Sequence, residues 1–165
     1  MELSEFKKVF DLHYDAVKNF LYYKLGDRDL AEDLVQEVFL KTWEKRDSIR
    51  METVQNLLYT IANHLAINHF KSAKNRFEFE LKDQSVARTT QESPQYLIEK
   101  DEFAKHLEKA LAALPEKQRT VFLMNRIDEL TYKEIAERLG ITVKAVEKRM
   151  SEALEQLRKT IEQKI

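Results

Sequence analysis

Apolar residues recur at threes and fours along most of this chain, the period of a helix face packed on a core. Phe6, Val9, Phe10, Val17, Phe20, Leu21 and Leu25 mark one such stripe and predict a helix over 3–25. Gly26-Asp27 interrupts it. Asp29, with Glu32 three residues on, is expected to open a second helix through a capping box. That helix runs to Trp43 and buries Leu34, Val35, Val38, Phe39 and Trp43. Asp33, Gln36, Glu37 and Lys41 point the other way, and Leu40 lies among them. An apolar residue on an otherwise polar face hints at a partner surface. Residues 44–54 have no clean period and read as a loop. A third stripe, Leu57, Leu58, Ile61, Ala62, Leu65 and Ile67, predicts a helix over 56–74.

The pattern then weakens. Residues 75–92 are polar, apart from Phe77, Phe79 and Leu81 alternating with glutamates, and read as a mobile tether. Ser93-Pro94 is a cap followed by proline at a first helical position, and Pro115 opens the next helix. Thr131 with Glu134 makes a capping box, Ile135, Ala136 and Leu139 an apolar stripe, and Gly140 a stop that tolerates left-handed backbone. Thr142 caps a further helix whose core positions are Val143, Val146, Met150, Ala153 and Leu157. Helix, tight turn and helix in this order fit a helix-turn-helix, whose second helix enters the DNA major groove. The predicted fold is all-α: two small helical domains, 1–75 and 94–165, joined by a flexible linker over 76–93, with the helix-turn-helix in the second.

Composition supports this. Two glycines and two prolines in 165 residues leave few helix breakers, and 43% apolar residues suffice for compact cores. Without cysteine there is no disulfide framework and no thiol chemistry. No signal-peptide layout and no membrane-length apolar run is present, so a cytoplasmic location is expected. The net charge of −1 says little about DNA, because distribution matters more than sum. Residues 56–76 carry Lys71, Lys74 and Arg76 and no acid, whereas 77–108 carry eight acids against four bases. His64 and His69 are five apart and share no helix face, so no metal site is expected. No glycine-rich phosphate loop or glycine-flanked serine nucleophile appears. No catalytic residue, cofactor or small-molecule substrate is expected.

The outward face of the last helix follows from its core stripe. With Val146, Met150, Ala153 and Leu157 inside, Lys144, Ala145, Glu147, Lys148, Ser151 and Glu152 project outward. Lys144 and Lys148 suit phosphate or guanine, Glu147 a cytosine amino group or plain solvent, and Arg149 a backbone phosphate.

Two motifs carry a family resemblance. Leu114-Pro-Glu-Lys-Gln-Arg-Thr-Val-Phe followed by the 130–150 stretch resembles region four of bacterial sigma factors; residues 29–43 resemble region two. In this order and separation they resemble the sigma-70-type extracytoplasmic-function group. The resemblance implies a promoter-specificity subunit of RNA polymerase. It implies docking on the β′ clamp helices through Asp33, Gln36, Glu37, Leu40 and Lys41. Minus-10 DNA contact and melting fall to Asn63, His64, Asn68, His69, Lys71 and Lys74, with the loop 46–55 supplying the pocket for a flipped base. Minus-35 contact falls to Lys144, Ala145, Glu147, Lys148, Arg149 and Ser151, with region four also touching the β flap. An anti-sigma factor that covers both domains is implied as well. Where relatives carry tryptophan, a second arginine and aspartate, this chain has Leu57, Asn63 and Asn68, and Glu147 replaces a commonly basic residue. The alternative is a helix-turn-helix regulator that acts without core polymerase; it would have no need for the 29–43 helix.

Overall fold

The computed structural model describes residues 1–72 and 94–162. The tether expected over 76–93, its Phe77, Phe79 and Leu81, the Ser93 cap and Lys74 therefore lie outside the described residues. Among the described residues the regular structure is helical throughout: α1 (Leu3–Leu25), α2 (Arg28–Glu44), a 3₁₀ turn (Arg46–Ser48), α3 (Val54–Ser72), α4 (Pro94–Ala113), α5 (Glu116–Arg126), α6 (Tyr132–Leu139) and α7 (Val143–Glu162).

In the N-terminal bundle α1, α2 and α3 pack pairwise. The seam between α1 and α2 is aromatic. The Phe39 ring lies 5.0 Å from that of Phe10 and 6.3 Å from that of Phe6, both edge-on, and Phe6 meets Trp43 at 4.9 Å. Edge-to-face contact sets the positive rim of one ring against the negative face of another, at about 0.5–1.5 kcal/mol per pair beyond burial. Phe20 of α1 meets Tyr59 of α3 in the same way, at 5.1 Å. In the C-terminal bundle α7 packs against α4, α5 and α6, around Val121, Leu123, Met124, Ile135, Val146 and Met150.

Several local expectations change. Asp27, not Asp29, caps α2: its carboxylate accepts from the Leu30 N–H at 3.0 Å, and the helix starts at Arg28. An Asp at the cap holds the N2 or N3 amide, which Asp27 does two residues earlier than a box at Asp29 and Glu32 would. The third helix starts at Val54 rather than Asn56, and the preceding loop contains a 3₁₀ turn. Val54 is buried, so burial of one more apolar residue extends the helix backwards. Phe10 and Ile67, expected in the core, are 36% and 39% exposed. Val143 is likewise 41% exposed, since it stands at the first turn of α7, beyond the reach of the core.

The two bundles pack on each other, α1 against α5 and α3 against α6. The centre of this contact is Arg119 of α5. Its Nε donates to the Tyr23 carbonyl at 2.8 Å and its Nη2 to the Lys24 carbonyl at 2.9 Å, while Nη1 donates to Leu114 of its own bundle at 2.9 Å. Tyr23 and Lys24 stand in the last turn of α1, where carbonyls have no helical partner and the macrodipole is negative. The Gly26 N–H covers the Tyr22 carbonyl from the left-handed conformation (φ 69°). Burial lowers the Arg119 pKa to about 10, which leaves it cationic at neutral pH. Around it, Tyr23 donates to Asp128 at 2.6 Å and Lys24 pairs with Glu116. Burial, then the Asp128 bond, drives the Tyr23 hydroxyl far above its ordinary range.

Two consequences are measurable. Phe39 is 3% exposed and Leu40, its neighbour, 59%. Phe39→Ala should cost about 3–5 kcal/mol in denaturant unfolding, and Leu40→Ala no more than about 0.5 kcal/mol. Equal costs would refute the assigned faces of α2. His13 of α1 has its pKa lowered from 6.5 by burial, then by the Arg138 charge. The unfolded chain therefore takes up a proton first, and stability present above pH 6.5 is lost as pH falls toward the lowered value. His13→Gln should flatten the fall in Tm between about pH 7 and pH 5; parallel Tm profiles would contradict this.

Candidate nucleic-acid interface

The helix-turn-helix assembles from local chemistry. The Glu134 N–H donates to the Thr131 hydroxyl at 3.1 Å and the Thr131 N–H to the Glu134 carboxylate at 3.0 Å, closing the capping box. Those bonds favour the ionised form and hold the Glu134 carboxyl below its usual range. Gly140 then takes the left-handed conformation (φ 68°), and its N–H and that of Ile141 both reach back to the Ala136 carbonyl. No heavy atom outside the turn lies within 4 Å of where a Cβ would sit, so backbone conformation rather than crowding favours glycine. Thr142 caps α7, accepting from the Ala145 N–H at 3.1 Å. Ile135 and Ala136 of α6 and Val146, Met150, Ala153 and Leu157 of α7 are buried, which fixes the rotation of α7 about its axis.

That rotation leaves Lys144, Glu147, Lys148 and Ser151 exposed and Ala145 half-buried. Lys148 stands 4.0 Å from Glu152, whose carboxylate also accepts from Gln118 at 2.7 Å. A loosely paired, 80% exposed ammonium remains available to phosphate or a base edge. Arg149 departs from the group: it is half-buried and faces inward, toward the N-terminal bundle.

It faces a cavity of about 550 Å³ between the bundles. The opposite wall is α3, with Asn56, Thr60, Asn63 and His64. These polar residues recur at fours and sevens along one side of α3, opposite Leu58, Ile61 and Ala62. Arg138 closes the cavity from α6, its guanidinium 5.8 Å from the Tyr59 ring. Burial raises the Tyr59 hydroxyl to about 12. The residues expected at minus-10 DNA thus divide. Asn63 and His64 line the cavity; exposed Asn68 and half-buried His69 do not. Lys71 lies in the last helical turn of α3. The loop expected over 46–55 is shorter, because Val54 and Gln55 belong to α3. Arg46 stacks over the Trp43 ring at 4.2 Å and donates to its carbonyl at 3.1 Å.

On α2 the structure brings Asp33, Gln36, Glu37, Leu40 and Lys41 to one exposed face, with Glu37 and Lys41 4.0 Å apart. Beside it, Tyr14 of α1 donates to Glu32 at 2.9 Å. Sequence reading missed Asn56, Thr60 and Arg138. The first two were open to it, as members of the polar stripe that continues to Asn63. Arg138 was not, since its partner ring belongs to the other bundle.

Family comparison agrees with this architecture. Residues 9–76 match the Sigma-70 region 2 model and residues 105–157 the Sigma-70 region 4 model. RNA polymerase sigma factor YlaC of Bacillus subtilis is 28% identical over 151 residues, covering 90% of this chain and 87% of that protein. ECF RNA polymerase sigma factor SigW of the same organism is 28% identical over 165 residues, covering 94% and 88%. Among solved structures, the sigma factor RpoE in complex with the anti-sigma factor NepR, from Bartonella quintana, superposes with a TM-score of 0.66 at 20% identity, covering 97% of this chain and 98% of that one. CnrH in complex with the cytosolic domain of CnrY gives 0.65 at 18% identity, covering 98% and 90%. With both signature regions in order and full-length relatives of one kind, the chain belongs to the extracytoplasmic-function group of sigma-70-type sigma factors, the promoter-specificity subunits of bacterial RNA polymerase.

Proposed function

We propose the following division of labour for this sigma factor. Residues 1–75 bind core polymerase and melt the minus-10 element, 76–93 link, and 94–165 read the minus-35 element. The exposed face of α2, Asp33, Gln36, Glu37, Leu40 and Lys41, docks on the β′ clamp helices. Asn63, His64, Asn68, His69, Lys71 and Lys74 take the minus-10 strand; Lys144, Ala145, Glu147, Lys148, Arg149 and Ser151 take the minus-35 duplex, and this second domain touches the β flap. Melting needs cations along the displaced strand and a pocket for an unstacked base. The acid-free 56–76 stretch supplies the first. The observation that carries the docking assignment is Leu40, 59% exposed in the middle of a helix whose other side is fully packed.

The chain acts without catalysis, in the cytoplasm; among the described residues no helix is long and apolar enough to cross a membrane. An anti-sigma factor is its second partner. Supporting this, the two superposed relatives were each solved in complex with such an inhibitor or with the cytosolic domain of a partner protein.

Run-off transcription on genomic DNA with core polymerase tests the reading: new promoter-dependent transcripts are expected, and their absence would sink it. Leu40→Ala should weaken core binding by roughly tenfold, about 1.4 kcal/mol, while leaving binding to a minus-35 duplex intact. Lys148→Ala should weaken minus-35 binding by about 1–3 kcal/mol if it reads a base. An equal loss on all sequences would reassign Lys148 to phosphate.

A further inference from the structure

The outward face of α7 carries as many anions as cations: Lys144 and Lys148 stand on it with Glu147 and Glu152. A surface that only gathers phosphate gains from every cation and loses from every anion. Carboxylates on a DNA-facing helix therefore weaken binding to DNA at large, and their use must lie in what they do to the cations beside them.

Glu152 differs from Glu147 in how it is held. Glu147 is exposed, whereas Glu152 is half-buried and its Oε2 accepts from the Gln118 side-chain amide at 2.7 Å. Gln118 belongs to the first turn of α5, so the tie runs from one helix to another inside the C-terminal bundle. The other oxygen, Oε1, stands 4.0 Å from the Lys148 ammonium. Of this pair the carboxylate is anchored, and the ammonium, 80% exposed, is not.

Helix geometry alone does not produce the pair. Lys148 precedes Glu152 by one helical turn, the weaker order for an ion pair along a helix. Further along α7, Glu155 and Lys159 stand in the stronger order and close to 3.2 Å. At 4.0 Å, Glu152 is too far for a hydrogen bond and does not capture the ammonium. It instead biases where a flexible four-carbon stem carries its charge. Two unit charges at that range bias a position by about fivefold before salt screens them.

We infer that Glu152, anchored by Gln118, is a specificity-determining residue of the minus-35 reader: it holds Lys148 over the outward face of α7, toward base edges, and withholds it from the phosphates that every sequence offers. The inference rests on the assignment of α7 to the minus-35 element. Gln118 and Glu152 are positioning residues and act through Lys148. All three lie in one bundle, so the arrangement travels with the C-terminal domain.

Core polymerase loaded with the full chain provides the test, on two labelled promoter fragments that differ only in a shuffled minus-35 element. The promoter is one mapped by run-off transcription, and fluorescence anisotropy gives the ratio of the two affinities. Glu152→Gln keeps an acceptor for Gln118 and removes the charge. It should tighten binding to the shuffled fragment by about threefold and leave the native fragment nearly unchanged, so the ratio falls by about threefold. The salt dependence should steepen by up to about one released ion. Gln118→Met, similar in length but unable to donate, should lower the ratio by less. In a Lys148→Ala background, Glu152→Gln should leave the ratio where it was. A tie that merely staples α5 to α7 predicts something else: a lower Tm and weaker binding to both fragments alike. That result, or an unchanged ratio in Glu152→Gln when the parent discriminates, would overturn the role of Glu152. A ratio that still falls without Lys148 would overturn its positioning role. A parent that binds both fragments equally would overturn the minus-35 assignment of α7 and the inference with it.

Discussion

A helix end is the weak point of any small helical bundle, because its last carbonyls have no partner within the helix. Here two of those carbonyls, on Tyr23 and Lys24, are satisfied by a guanidinium from a segment about a hundred residues away. Much of the tertiary arrangement depends on that substitution. It seats α5 on the C-terminal end of α1, brings Asp128 within reach of the Tyr23 hydroxyl, and lays α6 along α3. Remove the guanidinium and each bundle keeps its own core, while the Tyr23–Asp128 and Lys24–Glu116 pairs and the packing of α6 on α3 are left to align the two. A buried charge without partners would cost several kcal/mol, so Arg119 is stable inside only while the bundles stay together or water replaces α1.

The same alignment sorts the functional surfaces. The α2 face with Leu40 and the α7 face with Lys144, Glu147 and Lys148 look outward, whereas Asn63, His64 and Arg149 look into the inter-bundle cavity. A promoter-specificity subunit must dock on polymerase, read a duplex and open it. In this arrangement the α2 and α7 faces are exposed, and the α3 side with Asn63 and His64 lines the cavity while Asn68 stays open to solvent.

Much of this was legible in the sequence, and where it was not the reason is physical. The helices, the Thr131–Glu134 box, the Gly140 turn and the rotation of α7 depend on neighbours within a few residues, so periodicity and cap chemistry found them. The α2 cap went to Asp27 instead of Asp29 because two aspartates one residue apart are equally good caps and the choice depends on where packing ends the turn. Phe10 and Ile67 sit on apolar stripes yet reach solvent, since a three-helix bundle cannot cover every side of each helix. Arg119 was read only as part of a motif. Nothing local distinguishes a surface arginine from one buried against another bundle, and the same holds for Lys24, Arg138 and Asp128.

The central claim is that the free chain is closed, and small-angle X-ray scattering of the purified full-length protein without polymerase tests it most directly. A closed chain of this length should give a radius of gyration close to the compact-domain value of about 15 Å, with a single-peaked distance distribution. A markedly larger radius, with a second maximum from two separated bundles, would contradict the account.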